Sequence, residues 1–238
     1  SHLVTFDGRS RGELTGVVLF GQDRAGGGMN AGLQRAGLRA LDWLVVADWF
    51  ETESAVFWKD DPTGPPPGEI KTEVFFIPAA GHAEKEGTLT NTQRLLQWHN
   101  KALGPPGDCR SDAWFVYQLG KRLRKLYEGS IDPKDAPLLN LTWDYDHDHE
   151  PKLPDGTPSR IEGEPDIEKV LREINGFTTQ DGKQVPNFAA LKSDGSTACG
   201  CWIYSGVYPE AHRNRAAERQ RTPGNPVEPN WGFAWPLN

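Results

Sequence analysis

Cysteine is scarce in this 238-residue chain, which holds three: Cys109, Cys199 and Cys201. An odd number excludes a fully paired disulfide framework, and three at these spacings exclude a four-thiolate metal or iron–sulfur site. Cys199-Gly200-Cys201 is too tight for an easy structural disulfide, so free thiols are the simplest reading of all three. No apolar run reaches spanning length, which argues against direct membrane insertion. Positive charge is in deficit, with 26 Lys and Arg against 33 Asp and Glu and a net charge of -7. A chain with that balance is a poor general binder of nucleic acid or anionic membrane. The P-loop, the nucleophile elbow and the G-x-G-x-x-G turn are all missing, which removes the simplest nucleotide-hydrolase, serine-hydrolase and NAD signatures. The numbered chain also opens without a signal-peptide pattern or twin arginine, and Ser1-His2 reads as a tag remnant.

What is present is a soluble-type composition with a real core. Hydrophobic residues make up 37%, including nine Trp and ten Phe, while 26 Gly and 19 Pro demand a large share of loop. The order of elements is alternating at first. Gly16-Val17-Val18-Leu19-Phe20 reads as a buried strand. The Gly26-Gly27-Gly28 turn follows it, and residues 30–41 then carry Leu33, Ala36, Leu38 and Leu41 at helical spacing. Trp43 to Ala47 is a second strand ending at Asp48, residues 52–58 suggest a short helix, and Glu73 to Ile77 is a third strand stopped by Pro78. This order predicts an α/β fold, a Rossmann-like parallel sheet covered by helices. Residues 90–103 and 112–126 read as two further helices. The second has Trp114, Phe115, Leu119, Leu123 and Leu126 on its expected core face and Lys121, Arg122, Arg124 and Lys125 outside.

After about Gly129 the texture turns polar and Pro-rich, so the division expected is 1–135 for the sheet domain and 136–238 for a loop-rich α+β extension. Within the latter, residues 166–174 form a plausible helix stopped by Asn175-Gly176. The chain closes on Gly232-Phe233-Ala234-Trp235-Pro236, large apolar residues that normally need a partner surface.

In an open parallel sheet, ligands sit beyond the carboxyl ends of the strands. The first strand end offers Gly21-Gln22-Asp23 and the glycines, which let backbone approach a phosphate. The second offers Ala47-Asp48, whose carboxylate suits either the N1–H and N2–H₂ edge of guanine or a pair of ribose hydroxyls. The third leads to Glu84-Lys85-Glu86-Gly87, where Lys85 is a point charge for a pyrophosphate. Asp146-His147-Asp148-His149-Glu150 contains metal-ligand types, but consecutive residues in a Pro-flanked loop rarely converge on one ion, and a solvated loop is the better reading. His82 and His99 read as capping or packing residues, and Glu51 and Glu53 as helix N-terminal charges. No residue reads as a catalyst or metal ligand.

The runs Asp42-Trp43-Leu44-Val45-Val46-Ala47-Asp48, Glu51-Thr52-Glu53-Ser54-Ala55 and Glu84-Lys85-Glu86-Gly87-Thr88 resemble the large subunit of molybdenum- or tungsten-dependent formate dehydrogenases of the respiratory type. So do Pro106-Gly107-Asp108-Cys109-Arg110-Ser111-Asp112, Glu173-Ile174-Asn175-Gly176 and Cys199-Gly200-Cys201-Trp202-Ile203-Tyr204. That family belongs to the molybdopterin oxidoreductases, and the matching runs span nearly the whole chain.

The resemblance implies a bis-molybdopterin guanine dinucleotide cofactor carrying Mo or W, gripped by two Rossmann-like domains, of which residues 1–135 are similar to part of the second. It implies partners in the remaining domains of the large subunit and an iron–sulfur electron-transfer subunit, and a parent that is usually exported to the periplasm, with a cytoplasmic location as the alternative. The family's strand-end turn falls on Gly21-Gln22-Asp23-Arg24, with Asp23 where Asn is usual and Arg24 where Pro is usual. Ala47 and Asp48 match the guanine-contacting strand end. Lys85 and Asp112 match cofactor contacts of related nitrate reductases. The iron–sulfur Cys motif, the selenocysteine or Cys metal ligand with its His, the catalytic Arg and the capping domain have no counterpart here. The chain alone is therefore expected to be inactive towards formate. The alternatives are a stand-alone pterin-dinucleotide carrier or assembly module and, more distantly, an NAD-type domain.

Overall fold

A computed structural model describes residues 8, 11–59, 61, 64–90, 95–150, 152–153, 155–159, 161–218 and 233–234. The chain forms two compact units, Ser1–Gly81 with Pro105–Asp112 and His82–Gly104 with Ala113–Asn238.

The first unit is built on three parallel strands. β1 (Gly16–Phe20) is followed by a single helical turn, α1 (Arg24–Gly27), and by α2 (Ala31–Arg39). β2 (Trp43–Asp48) and β3 (Glu73–Pro78) complete the sheet in the order β1-β2-β3. Register runs without slip from Gly16 opposite Trp43 to Phe20 opposite Ala47, and from Trp43 opposite Glu73 to Asp48 opposite Pro78. Period-two alternation sends Leu19, Leu44 and Val46 to one face, where Leu38 and Leu41 after α2 and Ala55 and Phe57 cover them. On the other face Trp43 lies across Gly16, so closely that a methyl group at position 16 would run into the indole. The three strands and α2 fall where the hydrophobic pattern predicts them.

Residues 52–58 do not form the expected helix. They make successive turns, with Ala55 N–H bonded to Thr52 O at 2.9 Å and Lys59 N–H to Val56 O at 2.8 Å. Two side chains explain the difference. The Trp58 indole N–H occupies Ala55 O at 3.2 Å, the carbonyl that a continuing helix would offer to residue 59. Ser54 N–H is drawn away to Asp23 at 2.9 Å. Glu51 is accordingly not a helix charge and pairs with Lys59 at 3.1 Å.

The second unit opens with an antiparallel hairpin, β4 (Gly87–Thr90) and β5 (Leu95–His99), where a helix over 90–103 was expected. Residues 91–94 of that span lie outside the described residues. In β5, Leu96 and Trp98 are buried and Gln97 and His99 are half-exposed, a period of two that the wider helical window averaged away. The long helix α3 (Asp112–Leu126) forms as expected. It is followed by one helical turn, α4 (Ala136–Leu139), and by α5 (Ile167–Asn175). Asp166 caps α5 by accepting Lys169 N–H at 3.0 Å, and Gly176, at φ 101, ends it as the Asn-Gly signal predicts. Short strands β6 (Phe177–Thr178) and β7 (Thr197–Ala198) pair with each other, and β8 (Phe233–Ala234) pairs with β5. Beyond the backbone of Phe233 and Ala234, the apolar C-terminal run lies outside the described residues.

Among the described residues, the apolar cluster of this unit is formed by Leu96, Trp98, Leu171, Val207, Tyr208 and Ala216. Much of its order comes from buried polar groups. Asn175, 0% exposed, accepts N–H groups of Gly206 at 2.8 Å and Tyr208 at 2.9 Å, while its amide donates to Val185 O at 3.1 Å. Lys101 and Glu164 form a buried ion pair, and Lys101 also donates to Ser159 O at 2.9 Å.

The core face assigned to α3 is corrected by the structure. Tyr117 and Gly120 are the buried positions, whereas Leu119 and Leu126 are exposed. Tyr117 is drawn inward by Trp143 and Tyr145, whose ring centroids lie 6.4 and 5.6 Å away, and a methyl group on residue 120 would strike the Trp143 ring.

Candidate functional site

The parallel register brings the carboxyl ends of β1, β2 and β3 to one edge of the first unit. After β1 the chain turns at Gly21, where φ is 57 and a side chain would be strained. Gly21 N–H donates to Ala47 O at 2.9 Å, so Ala47 contributes a backbone acceptor that aligns the two strand ends, and its side chain is buried.

Asp23 is engaged within the protein. Its Oδ1 accepts both the N–H of Ser54 at 2.9 Å and the Ser54 hydroxyl at 2.7 Å, and that hydroxyl in turn accepts Ala25 N–H at 2.9 Å. Burial pushes the Asp23 carboxyl up. Hydrogen bonds with Glu53, with Ser54 and with backbone N–H of Gly26 and Ser54 outweigh burial and hold it below the usual carboxylate range. The result is a clamp between the glycine turn and residues 53–54. Gly26 belongs to it, because a Cβ there would collide with the Asp23 carboxylate.

Asp48 ends the central strand. Its Oδ1 accepts Trp49 N–H at 2.7 Å, which fixes the carboxylate plane, and no other hydrogen bond of the side chain is seen among the described residues. Asp48 O accepts Ala79 N–H at 3.1 Å, and the Trp49 indole donates to Ala80 O at 3.3 Å. Trp49 and Phe50 follow with 54% and 72% of their surface exposed, two aromatic rings beside an acid at a strand end. Residues 109–112 run along the same edge: Arg110 N–H donates to Pro78 O at 3.1 Å, and Ala80 N–H donates to Arg110 O at 2.8 Å. Asp112, two residues further on, is the first residue of α3 and half-buried. The first unit thus gathers Asp23, Ala47 and Asp48 along one edge, with Asp112 two residues beyond Arg110.

Lys85 belongs to the second unit. It lies between a 3-10 turn, His82–Glu84, and β4, and is half-buried. The turn is pinned by Ala83 O, which accepts N–H groups of Ala102 at 2.8 Å and Leu103 at 3.2 Å. Burial first, and then the charges of His82 and Lys85, hold the His99 imidazole below its ordinary value. Glu86 is pushed up by burial, with Lys101 working against it. Because β4 rather than a helix follows Lys85, this turn gains no helix dipole.

Reading the sequence missed the partners that shape the site: Ser54 and Glu53 behind Asp23, and the aromatic pair after Asp48. The pair was visible in principle, since Trp49-Phe50 directly after a strand-ending acid in a surface loop is an unusual exposure. Nothing in the sequence marked Ser54 as the donor to Asp23.

The 146–150 run is a loop tied to α5, where Lys169 donates to Asp148 at 2.8 Å and to Asp146 O at 2.5 Å. Among the described residues, no group of three or more His, Cys, Asp or Glu side chains is placed to hold a metal ion. The three cysteines are free thiols, Cys199 exposed. Among the described residues, no helix is long and apolar enough to cross a membrane.

No family model matches the chain. Individual relatives do. It is 35% identical, over 258 aligned positions covering 100% of the chain, to formate dehydrogenase subunit alpha of Megalodesulfovibrio gigas, of which it covers 24%. It is 33% identical over its whole length to formate dehydrogenase 2 subunit alpha (cytochrome c-553) of Nitratidesulfovibrio vulgaris, covering 23% of that protein. Over 84% of its length it is 32% identical to the nitrate-inducible formate dehydrogenase major subunit of Escherichia coli, covering 20% of it. The chain therefore spans about a quarter or less of the curated relatives it matches. With homology running from end to end, the chain belongs to the family of formate dehydrogenase large, or alpha, subunits and corresponds to a segment of one.

Proposed function

We propose that the strand-end edge of the first unit binds the guanine end of one molybdopterin guanine dinucleotide within a formate dehydrogenase large subunit. The observation that carries this reading is Asp48. It stands at the carboxyl end of the central strand, oriented by Trp49 N–H at 2.7 Å, with acceptor capacity left for the two donors of a guanine edge. The residues present fit such a group. Gly21 and the clamped glycine turn allow a close backbone approach, Trp49 and Phe50 offer faces for a base, and α2, entered through Asn30 and its bond from Leu33 N–H at 3.2 Å, starts at the same edge.

Each side chain then has a task of its own. Asp48 orients the base. Asp23 acts through the turn that it holds against Ser54, and Ala47 through the carbonyl that aligns Gly21. Asp112 is a further acceptor. When bound, the dinucleotide would hold the Mo or W centre that accepts the two electrons released, together with one proton, as formate becomes CO₂. In the parent those electrons would pass on to iron–sulfur centres, which implies an electron-transfer partner subunit. The present chain carries neither the metal ligand nor the catalytic Arg expected of the family, so alone it is inactive towards formate. The parent is of the respiratory, periplasmic type.

Calorimetric titration of the chain with GDP, ADP and NAD tests the reading. GDP is expected to bind more tightly than either adenine nucleotide, and Asp48→Ala to abolish the preference. Equal affinity for GDP and ADP, or an unchanged preference in Asp48→Ala, counts against it.

A further inference from the structure

Three aromatic rings of the second unit meet in a triangle. Tyr117 on α3 lies 6.4 Å from Trp143 and 5.6 Å from Tyr145, and Trp143 lies 6.3 Å from Tyr145, centroid to centroid. Each ring is within contact range of the other two. The backbone gives way to place them. Trp143 takes a φ of 23, on the left-handed side that a bulky residue rarely adopts. Gly120 is required beneath it, because a Cβ there would overlap the indole. The two phenols have different surroundings. Tyr145 donates a short hydrogen bond to the Glu173 carboxylate on α5. Tyr117 donates to Trp143 O at 3.2 Å and, at the limit of hydrogen-bond range, to Asp146 at 3.4 Å. Lys121 Nζ stands 4.6 Å from the centroid of the Tyr117 ring, and a cation on a ring face opposes loss of an electron from that ring. Among the described residues, the cations that face rings stand over Trp58, Tyr117 and Tyr208, not over Tyr145. Burial first, and then the bond to Glu173, push the Tyr145 phenol up, so it holds its proton as long as the ring keeps its electrons.

We infer that this cluster is a one-electron redox site, in which Tyr145 gives up an electron while its proton passes to Glu173, and Trp143 relays electron vacancies to it. The co-reactant is a one-electron oxidant of the oxygen-derived radical class, arriving from solvent. One electron leaves the Tyr145 ring for the oxidant. The phenolic O–H bond breaks, and the proton forms a new O–H bond on the Glu173 carboxylate. The products are a neutral Tyr145 phenoxyl radical, a protonated Glu173 and the oxidant reduced by one electron. The carboxylate is what makes the step accessible, because a proton acceptor already joined by a charge-assisted hydrogen bond spares the ring a cationic product. Where the oxidant strikes Trp143 instead, the electron comes from Tyr145 across the ring contact and the vacancy moves the other way. It settles on Tyr145 rather than Tyr117, since Tyr117 has a cation over its ring and only a distant carboxylate. Packing alone would be served by any carbonyl on each phenol, as Trp143 O already serves Tyr117.

The test is laser flash oxidation of the intact chain by a photogenerated ruthenium(III) polypyridyl complex, followed by transient absorption and by electron paramagnetic resonance of freeze-trapped samples. The chain holds five Tyr and nine Trp, so substitutions assign the signals. A tyrosyl radical is expected, and Tyr145→Phe is expected to remove most of it. Tyr127→Phe, at a phenol 43% exposed and outside the triangle, is expected to leave it. Glu173→Gln keeps an acceptor for the phenol but takes away the charge that receives the proton, and should slow radical formation at least about ten-fold. An indole radical that decays as the tyrosyl signal rises is expected in the parent chain and should be lost in Trp143→Phe. Circular dichroism checks the fold of each variant. Should Tyr145→Phe unfold, mass-spectrometric location of a spin-trap adduct in the parent chain takes its place, with Tyr145 as the expected site. Absence of a tyrosyl radical, a signal undiminished in Tyr145→Phe, or an adduct on Tyr127 instead overturns the inference. So does a radical formed as fast in Glu173→Gln, or an indole transient indifferent to Trp143→Phe.

Discussion

The two units of this chain set apolar packing beside buried polar hubs. The first holds three strands in slip-free parallel register by burying Leu19, Leu44 and Val46 under Leu38, Leu41, Ala55 and Phe57. In the second, the described apolar cluster around Leu96, Trp98 and Tyr208 is joined by Asn175, by the Lys101–Glu164 pair and by the Tyr204 hydroxyl, which hydrogen-bonds with the Thr90 hydroxyl at 2.8 Å. Apolar burial is non-directional and tolerates change of shape. A polar hub is specific and fails sharply when one partner is lost.

That contrast can be broken by substitution. The largest effect is expected from Asn175→Ala, which leaves the buried N–H groups of Gly206 and Tyr208 without an acceptor and should cost about 4 kcal/mol. Urea unfolding followed by circular dichroism reads this out; a loss below about 1 kcal/mol would remove Asn175 from its central place. Next comes Lys101→Met, expected to cost about 3 kcal/mol because Glu164 would remain buried without its cation, with much of the loss recovered in Lys101→Met/Glu164→Leu. In the first unit Leu44→Ala should cost about 3 kcal/mol, but Leu44→Met less than about 1.5 kcal/mol, since volume is nearly preserved. If the conservative exchange proved as harmful as the truncation, the two units would not differ in tolerance as described.

The smallest effect concerns pH. His99 in the folded chain lies below its ordinary value of 6.5, so the unfolded chain binds its proton more readily. The stability gained from a neutral His99 is present above pH 6.5 and declines as pH falls towards the lower folded value, below which no more is lost. Burial is the main cause and Lys85 a lesser one. Lys85→Met should therefore raise the His99 pKa, measured by NMR of its imidazole, without bringing it fully to the ordinary value. No movement would remove Lys85 from the neighbourhood assigned to it.

The same contrast explains how much of the molecule was legible in its sequence. Apolar runs bounded by Gly and Pro announce β1, β2 and β3, and Gly21 and Asp48 follow from the strand ends. Asp166 and Gly176 announce both ends of α5. What escaped depended on partners distant in sequence. Asp23 finds Ser54 thirty-one residues away, and that bond helps replace a helix with turns. Asn175 reads locally as a helix stop, and its contacts to residues 206 and 208 leave no local trace. Leucines on α3 look like a core face because spacing reports amphipathicity, not which side is inward; Trp143 decided that by taking up Tyr117 and Gly120.

The claim at the centre of this account is that Asp48 recognises guanine, and the amide of Trp49, hydrogen-bonded to its carboxylate, is a local reporter of that event. Titrating the isotopically labelled chain with GDP and with ADP while following the Trp49 amide by NMR tests it directly. The account predicts a saturable shift with GDP, a much weaker one with ADP, and none with GDP in Asp48→Ala. A Trp49 amide that ignores GDP, or responds equally to ADP, would contradict it.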